Sequence, residues 1–150
     1  MANTQAMCTS FKLEILDGIH ALGTTVTRAG TGADTLKAAL YLATATVNAN
    51  TTAYSATNEV SGTNYTAGGA TFTWSAPATG GTTAYTTPSA NISWSNVTLS
   101  TAFDAVLLYN NTQSNKAVAV YTFSSQTVTA GTFTLTMPTN DSSTGLLRLA

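Results

Sequence analysis

The sequence predicts a mainly β protein, a single antiparallel β-sandwich or jelly-roll-like barrel with one short N-terminal α-helix. Thirty-two of the 150 residues are threonine and thirteen are serine, and threonine suits a strand with a polar outer face because it is β-branched. From residue 24 onward apolar and polar residues alternate, which is the period of a strand. Glycine, asparagine and proline recur between these short runs, as they do in sandwiches and barrels.

Residues 11–22 are predicted to form the helix. Its apolar stripe recurs at spacings of four, four and three and consists of Phe11, Ile15, Ile19 and Leu22. Thr9 or Ser10 can cap the first turn, and Gly23 is placed to end the helix. Gly18 then lies inside the helix, where glycine costs roughly 1 kcal/mol relative to alanine. Such a short helix is marginal alone, so its stripe is expected to dock on the sheet or on a neighbouring subunit.

Eight runs are predicted as strands: 24–28, 35–47, 70–75, 91–98, 103–109, 117–123, 132–137 and 146–149. In the seventh run Phe133, Leu135 and Met137 alternate with threonines, which predicts one buried face and one hydroxylated face. The fifth and sixth runs flank the polar residues 110–115, so we expect them to pair as a hairpin.

Two connections stand out between these runs. Residues 48–69 form a long segment without a clear strand, and compact domains rarely contain such a segment without a use. Residues 76–90 contain Pro77, Pro88 and a pair of glycines, which predicts a wide connection. Neither has the composition of a linker between domains. The chain is therefore expected to be one structural unit, with an N-terminal arm and helix at 1–23 and the β-sandwich domain at 24–150.

The chain has very few charges. Eleven of its 150 residues are charged, whereas about a quarter are charged in ordinary globular proteins. Charge is what normally keeps exposed strand edges from pairing with other chains. A surface made soluble by hydroxyls and amides is therefore expected to contact other protein.

Composition also indicates which partners to exclude. The five basic residues are scattered, so no patch could neutralise several phosphates, and we expect no binding to nucleic acid. The longest apolar run, 38–43, is too short to cross a bilayer, so no membrane association is expected. No signal-peptide pattern is recognised at residues 1–5, and Cys8 is the single cysteine. Both observations favour synthesis in a cytosol.

No catalytic, cofactor-binding or metal-binding residues are predicted, so the chain is not expected to be an enzyme. His20 is the only histidine, and its expected place is the protein surface at the end of the helix. Cys8 is too distant from it in sequence to match the ligand spacings of a zinc site. The six acidic residues show no paired spacing, although folding could still bring two of them together. The glycine pairs 68–69 and 80–81 lack the context of a phosphate-binding loop.

One segment carries a family resemblance. Residues 51–55 (TTAYS) followed by 59–69 (EVSGTNYTAGG) resemble a phrase found in small structural proteins of tailed bacteriophage virions. Residues 36–41 resemble the strand that precedes that phrase. Residues 105–110 and 116–121 resemble the hairpin that follows it, so the likeness covers roughly residues 35–137.

Within that class, the size and the predicted sandwich most resemble capsid-decorating, or cement, proteins. The resemblance implies a virion structural protein on the capsid exterior, made in the cytoplasm of the host bacterium. Its implied partners are the major capsid protein and further copies of itself in a homo-oligomer. It implies no cofactor and no active site.

Six residues are candidates for the interface. Phe11, Ile15 and Ile19 lie on the helix, which is the first candidate for a partner-contacting arm. Tyr54, Glu59 and Tyr65 lie in the long loop. The two tyrosine rings are expected to pack beneath that loop with their hydroxyls in water, and Glu59 to accept hydrogen bonds from loop amides. The alternative is that the loop itself is a contact with the capsid lattice.

Two further functions stay open. The first is a structural component of the tail or of the head-tail junction. The second is a β-sandwich module that binds host-surface glycans, for which Trp74, Trp94, Tyr85 or Tyr109 could stack on sugars. Exposed aromatic rings in a groove would favour the glycan-binding function, although the alternation around Trp94 predicts a core position for that residue.

Overall fold

The protein, seen in a computed structural model that describes residues 2–16, 18–23 and 33–150, is mainly β. The elements described are β1 (Ala6–Met7), α1 (Thr9–Leu16), β2 (Leu36–Leu42), β3 (Ala70–Phe72), β4 (Ala78–Gly80), β5 (Thr83–Thr86), β6 (Ile92–Asn110), β7 (Lys116–Leu135) and β8 (Leu147–Leu149). They form a five-stranded antiparallel sheet in the order β1-β7-β6-β2-β3 and a three-stranded sheet in the order β4-β5-β8. The predicted fold class, a sandwich-like antiparallel β protein with one short helix, is confirmed.

The centre of the fold is one long hairpin. The predicted pair at 103–109 and 117–123 is confirmed, since Leu107 lies opposite Val120 and Asn110 opposite Lys116. Both strands are much longer than the sequence pattern indicated. The run at 91–98 belongs to the same strand as 103–109, and most of 132–137 belongs to the same strand as 117–123. The four predicted strands are therefore parts of two long strands, β6 and β7.

This hairpin is bent. The register between β6 and β7 shifts at several points, including the stretches from Leu99 to Phe103 and from Phe103 to Ala105. Such bulges bend a strand and increase its twist. As a result, Phe103 near the middle of β6 packs on Phe133 near the end of β7, with ring centroids 5.0 Å apart. The half of the hairpin next to the turn and the half farther from it thus face each other across a shared aromatic cluster.

The hydrophobic core lies between these halves and under β2. It includes the fully buried side chains of Leu40, Phe103, Leu107 and Val118. Cys8 and Phe11 of the N-terminal segment belong to the same core cluster. Burying a side chain of this size contributes roughly 1.5–3 kcal/mol. The N-terminal segment therefore packs as part of the body of the protein, through the interior face of α1.

The helix is shorter than the predicted 11–22. It ends at Leu16, and the predicted terminator Gly23 lies well beyond it. Gly18 has a positive φ of 67°, its N–H donates to the carbonyl of Ile15, and the N–H of Ile19 donates to the carbonyl of Glu14. This is the Schellman arrangement that ends helices. Gly18 therefore stops the helix, and the prediction that it lies inside the helix is wrong. Across the described ranges, no helix has the length and apolarity needed to cross a bilayer.

The connection at 76–90 also differs from the prediction. It contains two short strands, β4 and β5, joined by a turn in which Gly81 has a φ of 62°. β5 then pairs with β8, where Thr86 lies opposite Leu147. The sequence pattern did not indicate these strands, because each strand is only three or four residues long and the glycines and prolines of the segment are typical of turns. The loop at 48–69 contains no strand, as predicted, and the run at 24–28 lies outside the described residues.

Candidate functional site

Glu59 is the centre of a hydrogen-bonded cluster in the long loop. Its side chain accepts the hydroxyl of Tyr54 at 2.6 Å and the hydroxyl of Tyr65 at 2.8 Å. The backbone N–H of Gly68 donates to the same carboxylate at 2.8 Å. The residue is only 9 % exposed, and a buried carboxylate is tolerated when its oxygens accept several hydrogen bonds. Three parts of the loop therefore converge on one side chain.

The cluster extends to the sheet beneath the loop. The Tyr65 hydroxyl accepts the backbone N–H of Leu40 on β2 at 3.0 Å. The Tyr109 hydroxyl on β6 donates to the carbonyl of Gly68 at 2.8 Å. The rings of Tyr54 and Tyr109 are stacked with centroids 4.7 Å apart. These contacts fix the loop at 48–69 to two central strands.

The tyrosines of this cluster are held in their neutral form. Burial raises the pKa of Tyr109 to about 12, and the negative charge of Glu59 adds to the effect. Burial also raises the pKa of Tyr65 and of Tyr54 well above the usual range, again with a contribution from Glu59. Each hydroxyl is therefore protonated near neutral pH and can donate a hydrogen bond.

This geometry corrects one prediction and supports another. The hydroxyls of Tyr54 and Tyr65 do not point into water, because Glu59 accepts both of them. Glu59 does accept a loop amide, that of Gly68, as expected. The carboxylate is enclosed by groups of its own chain, and the contribution of Glu59 to an interface stays a prediction. Whether the outer face of the loop contacts a partner stays a prediction.

A second buried cluster joins α1 to the start of β7. The carboxylate of Glu14 contacts His20 Nε2 at 2.8 Å and Lys116 Nζ at 2.5 Å. The side chains of Glu14 and His20 are 9 % and 1 % exposed. Burial acts to raise the pKa of Glu14, but the hydrogen bonds from Lys116 and His20 and the charge of Lys116 outweigh it, so that the pKa lies below the usual value. The carboxylate is therefore ionised and paired.

Asn110 fixes the orientation of this cluster. Its side-chain nitrogen donates to His20 Nδ1 at 2.9 Å and to Asp34 Oδ2 at 2.7 Å, and its oxygen accepts the N–H of Gln113 at 3.2 Å. Since both amide hydrogens are used, His20 Nδ1 must be an acceptor. The proton of the imidazole then lies on Nε2 and is donated to Glu14. The cluster links the helix, the segment after it and the hairpin turn.

The predicted surface position of His20 is therefore wrong. Its side chain is buried, and its ring packs on Phe11 with centroids 4.7 Å apart. Sequence reasoning also missed Asn110, Asp34 and Lys116. No local pattern could have identified them, because Asn110 lies 90 residues from His20 and 76 residues from Asp34. Folding brings acids close to a histidine, yet the described residues contain no group of three or more histidine, cysteine, aspartate or glutamate side chains arranged to hold a metal ion.

The helix candidates occupy three different settings. Phe11 is fully buried in the core, so its side chain cannot contact a partner while this fold is intact. Ile15 is half-buried and lies on the helix, whereas Ile19 is half-buried and lies beyond its end. The contribution of Ile15 and Ile19 to an interface stays a prediction. Cys8, which is buried in the core, has a pKa raised to about 11 by burial and by the charge of Glu14, which makes its thiol a poor nucleophile.

The aromatic residues considered for sugar stacking are mostly inside the protein. Trp74 is 1 % exposed, Trp94 is 6 % exposed and Tyr109 is 1 % exposed. The predicted core position of Trp94 is confirmed. Tyr85 is half-buried and lines an apolar pocket of about 260 Å³ with Leu147 and Leu149. Stacking on a sugar requires an accessible ring face, which the first three residues do not offer.

Both strands of the hairpin are highly exposed at its bend. We call residues 100–102 of β6 and 124–130 of β7 the hairpin corner. All three residues of its β6 part are exposed, and so are six of the seven residues of its β7 part, all except Val128. None of these residues is charged. The corner is therefore a solvent-facing surface of hydroxyls, one amide side chain and strand backbone.

Comparison of the chain with protein-family models, with curated proteins and with solved structures found no match.

Proposed function

We propose that this chain is a structural protein of a bacteriophage virion, one that decorates and reinforces the capsid by binding the major capsid protein as an oligomer. The proposal joins the resemblance of residues 51–69 to phage structural proteins with the character of the surface. Each copy needs only modest affinity, because linked copies raise the effective concentration of the remaining contacts.

The observation that carries the proposal is the distribution of charge. Residues 60–103 and 117–140 contain no charged residue, and they supply β3, β4, β5, nearly all of β7 and twelve of the nineteen residues of β6. An uncharged hydroxyl surface is covered by a neighbour without the desolvation that ions require, and it forms hydrogen bonds across a wet interface. A surface of this kind suits a protein that works inside an assembly.

The fixed loop adds to this support. Because Glu59 ties the segment 48–69 to the sheet, its exposed residues are presented in one conformation. Little conformational entropy is then lost when a partner covers them. The exposed part of the loop includes Ser61, Thr63 and Asn64, which are again uncharged. A rigid loop whose exposed residues are uncharged is a suitable element for repeated contacts on a regular shell.

The experiment is to purify virions of the bacteriophage that encodes this chain and to measure its copy number by quantitative mass spectrometry. We expect a copy number comparable to that of the major capsid protein. Cryo-electron microscopy of the same particles should then show density of this size on the outer face of the shell. Particles made without the gene should lack this density and should release their DNA at a lower temperature.

The other outcomes contradict the proposal in different ways. A few copies per particle, with density at the tail or at the head-tail junction, would support the first alternative function. Complete absence from purified particles would reject a virion role. In that case, binding of the purified protein to a host-surface glycan array would support the second alternative.

A further inference from the structure

We infer that the buried imidazole of His20 is a pH-sensitive switch. Its protonation releases the hairpin turn at 111–115 and loosens the long loop at 48–69, which is hydrogen-bonded to that turn. The switch itself follows from the hydrogen bonds around the ring. Its consequence for binding to the capsid rests on the proposed function, in which the exposed part of the long loop contacts a partner.

The amide of Asn110 is held in one orientation by two partners other than His20. Its nitrogen donates to Asp34 Oδ2 at 2.7 Å, and its oxygen accepts the backbone N–H of Gln113 at 3.2 Å. Asn110 is completely buried, so water does not readily replace a lost partner. His20 Nδ1 therefore faces an N–H group at 2.9 Å and can accept it only while the ring is neutral.

Protonation of the ring makes this contact unfavourable. A protonated imidazole is a donor at both nitrogens, so the N–H at Nδ1 would face the N–H of Asn110. If the amide turned over to accept it, the amide nitrogen would face the N–H of Gln113 and the amide oxygen would face the carboxylate of Asp34. If the amide stayed in place, two donors would remain in contact. In either arrangement buried hydrogen bonds are lost, and a buried polar group without a partner is costly.

Several titratable groups of other elements surround the ring. Among the described residues they are Glu14, Asp34, Lys116, Tyr85 and Cys8. The two carboxylates favour uptake of a proton by the ring, whereas burial and the charge of Lys116 oppose it. The pKa of Glu14 is lowered and that of Cys8 is raised, so neither group changes its charge between about pH 7.5 and about pH 5.5. Histidine is the side chain that ordinarily titrates in this range.

The hairpin turn connects this cluster to the long loop. At one end of the turn, Asn110 accepts the backbone N–H of Gln113. At the other end, the carbonyl of Asn115 accepts the backbone N–H of Tyr54 at 2.9 Å. A turn that loses its bond to Asn110 is less constrained, so its bond to the loop is weakened as well. The protonation state of His20 is thereby coupled to the order of the loop.

The first measurement follows the proton on the ring. Heteronuclear NMR of the imidazole nitrogens distinguishes the two neutral tautomers from the protonated form, and His20 is the only histidine of the chain. We expect the tautomer protonated at Nε2 at about pH 7.5 and the doubly protonated ring at about pH 5.5. The tautomer protonated at Nδ1 at the higher pH would overturn the inference, and so would a ring that stays neutral at the lower pH.

The second measurement follows the backbone by hydrogen exchange and mass spectrometry at the same two pH values. After correction for the pH dependence of intrinsic exchange, the amides of residues 111–116 and 51–58 should exchange at least about fivefold faster at the lower pH. The amides around Trp94 and Phe133, which pair at the far end of the hairpin, are the internal control and should keep their protection. Equal protection of the turn and the loop at both pH values would overturn the inference. Faster exchange of the control amides would overturn it by showing a general loss of stability.

A variant assigns the effect to His20. His20→Gln removes the titration and keeps a side chain that can both donate and accept a hydrogen bond. Its turn and loop should exchange equally at the two pH values. A response as large as that of the wild type would assign the effect to another group and overturn the inference. The two measurements on the wild type decide the question even if this variant fails to fold.

Binding to capsids that lack the chain separates the switch from the proposed function. We expect the wild type to bind at least about fivefold more weakly at about pH 5.5 than at about pH 7.5, and His20→Gln to bind equally at both. Equal binding of the wild type at both pH values would overturn the link between the switch and the capsid. Failure to bind at either pH would reject the proposed function, while NMR and exchange on the purified protein would still decide on the switch.

Discussion

Phe123 and Phe133 lie ten residues apart on β7, yet their ring centroids are 5.3 Å apart. A straight strand rises about 3.3 Å per residue and would separate them by about 33 Å. The strand must therefore fold back on itself between them. The bulges in the ladder supply this bend, and the contact between the two rings is a direct consequence of it.

A double-mutant cycle tests the bend. Phe123→Ala, Phe133→Ala and the double variant are compared by urea denaturation, which gives the free energy of unfolding for each. We expect a coupling of about 0.5–1.5 kcal/mol between the two rings, the range of aromatic pairs in contact. As a control, Phe133→Ala should be additive with Phe72→Ala within about 0.5 kcal/mol. Additivity for Phe123 and Phe133 would contradict the bent strand.

Glu59 is expected to hold the long loop in place. Glu59→Gln keeps the size of the side chain but removes the charge and turns one acceptor into a donor that faces donors. We expect the free energy of unfolding to fall by about 1.5–3 kcal/mol, the contribution of hydrogen bonds to a charged group. Tyr85→Phe is the control, because this half-buried tyrosine lies outside the cluster, and its effect should stay within about 0.5 kcal/mol. Equal stability of Glu59→Gln and the wild type would show that the cluster does not support the loop.

The paired carboxylate of Glu14 predicts a loss of stability in acid. Its pKa in the folded protein lies below the ordinary value of 4.5, so the unfolded chain binds the proton more tightly. Stability from this group is present above pH 4.5 and is lost as the pH falls through the lower pKa of the folded state. The free energy of unfolding, measured from about pH 6 to about pH 3, should therefore fall less steeply in Glu14→Gln than in the wild type.

A second acid gives a comparison. Asp141 also has a lowered pKa, because it accepts hydrogen bonds from Thr144 and Ser143, so by the same linkage Asp141→Asn should also make the acid slope less steep. The double variant Glu14→Gln/Asp141→Asn should therefore have a flatter slope than either single variant. If Glu14→Gln alone keeps the slope of the wild type, the ion pair with Lys116 does not contribute to acid sensitivity.

The stability change on substituting Gly18 shows whether this residue lies at the end of the helix or inside it. In the middle of a helix, Gly18→Ala would stabilise the protein by about 1 kcal/mol. At the positive φ seen here, the substitution should destabilise it by about 1–2 kcal/mol, because a Cβ atom is strained in that conformation. Thermal denaturation decides the sign, and Gly18→Asn should be milder because asparagine tolerates this region. A stabilising effect of Gly18→Ala would contradict the helix end described here and support the longer predicted helix.

Much of the fold was predictable because it depends on local pattern. The alternation in the runs that contain Ile92 and Phe133 predicted strands, and the polar residues between Tyr109 and Lys116 predicted the turn. The continuity of β6 and β7 was not predictable, since Ser100, Thr101 and Ser124 look like loop residues. They are strand residues that no other element covers, so their polarity reflects exposure and not the end of a strand.

The two buried hydrogen-bonded clusters show the same limit to prediction from sequence. Glu59, Tyr54 and Tyr65 are candidates from the sequence because all three lie in the segment that carries the family resemblance. Their mutual hydrogen bonds could not be predicted, because the direction of each side chain depends on how the loop folds. His20 and Asn110 meet only through the packing of the N-terminal segment on the hairpin turn. Sequence patterns carry no information on contacts at such a separation.

The bent hairpin also determines how the protein unfolds. The same two strands line both sides of the aromatic cluster formed by Trp94, Phe103, Phe123 and Phe133. Neither side retains its packing surface once the other has melted, because the backbone ladder between β6 and β7 runs through both. Heat or denaturant should therefore disrupt the sheet in one concerted transition, with tryptophan fluorescence and far-ultraviolet dichroism changing together.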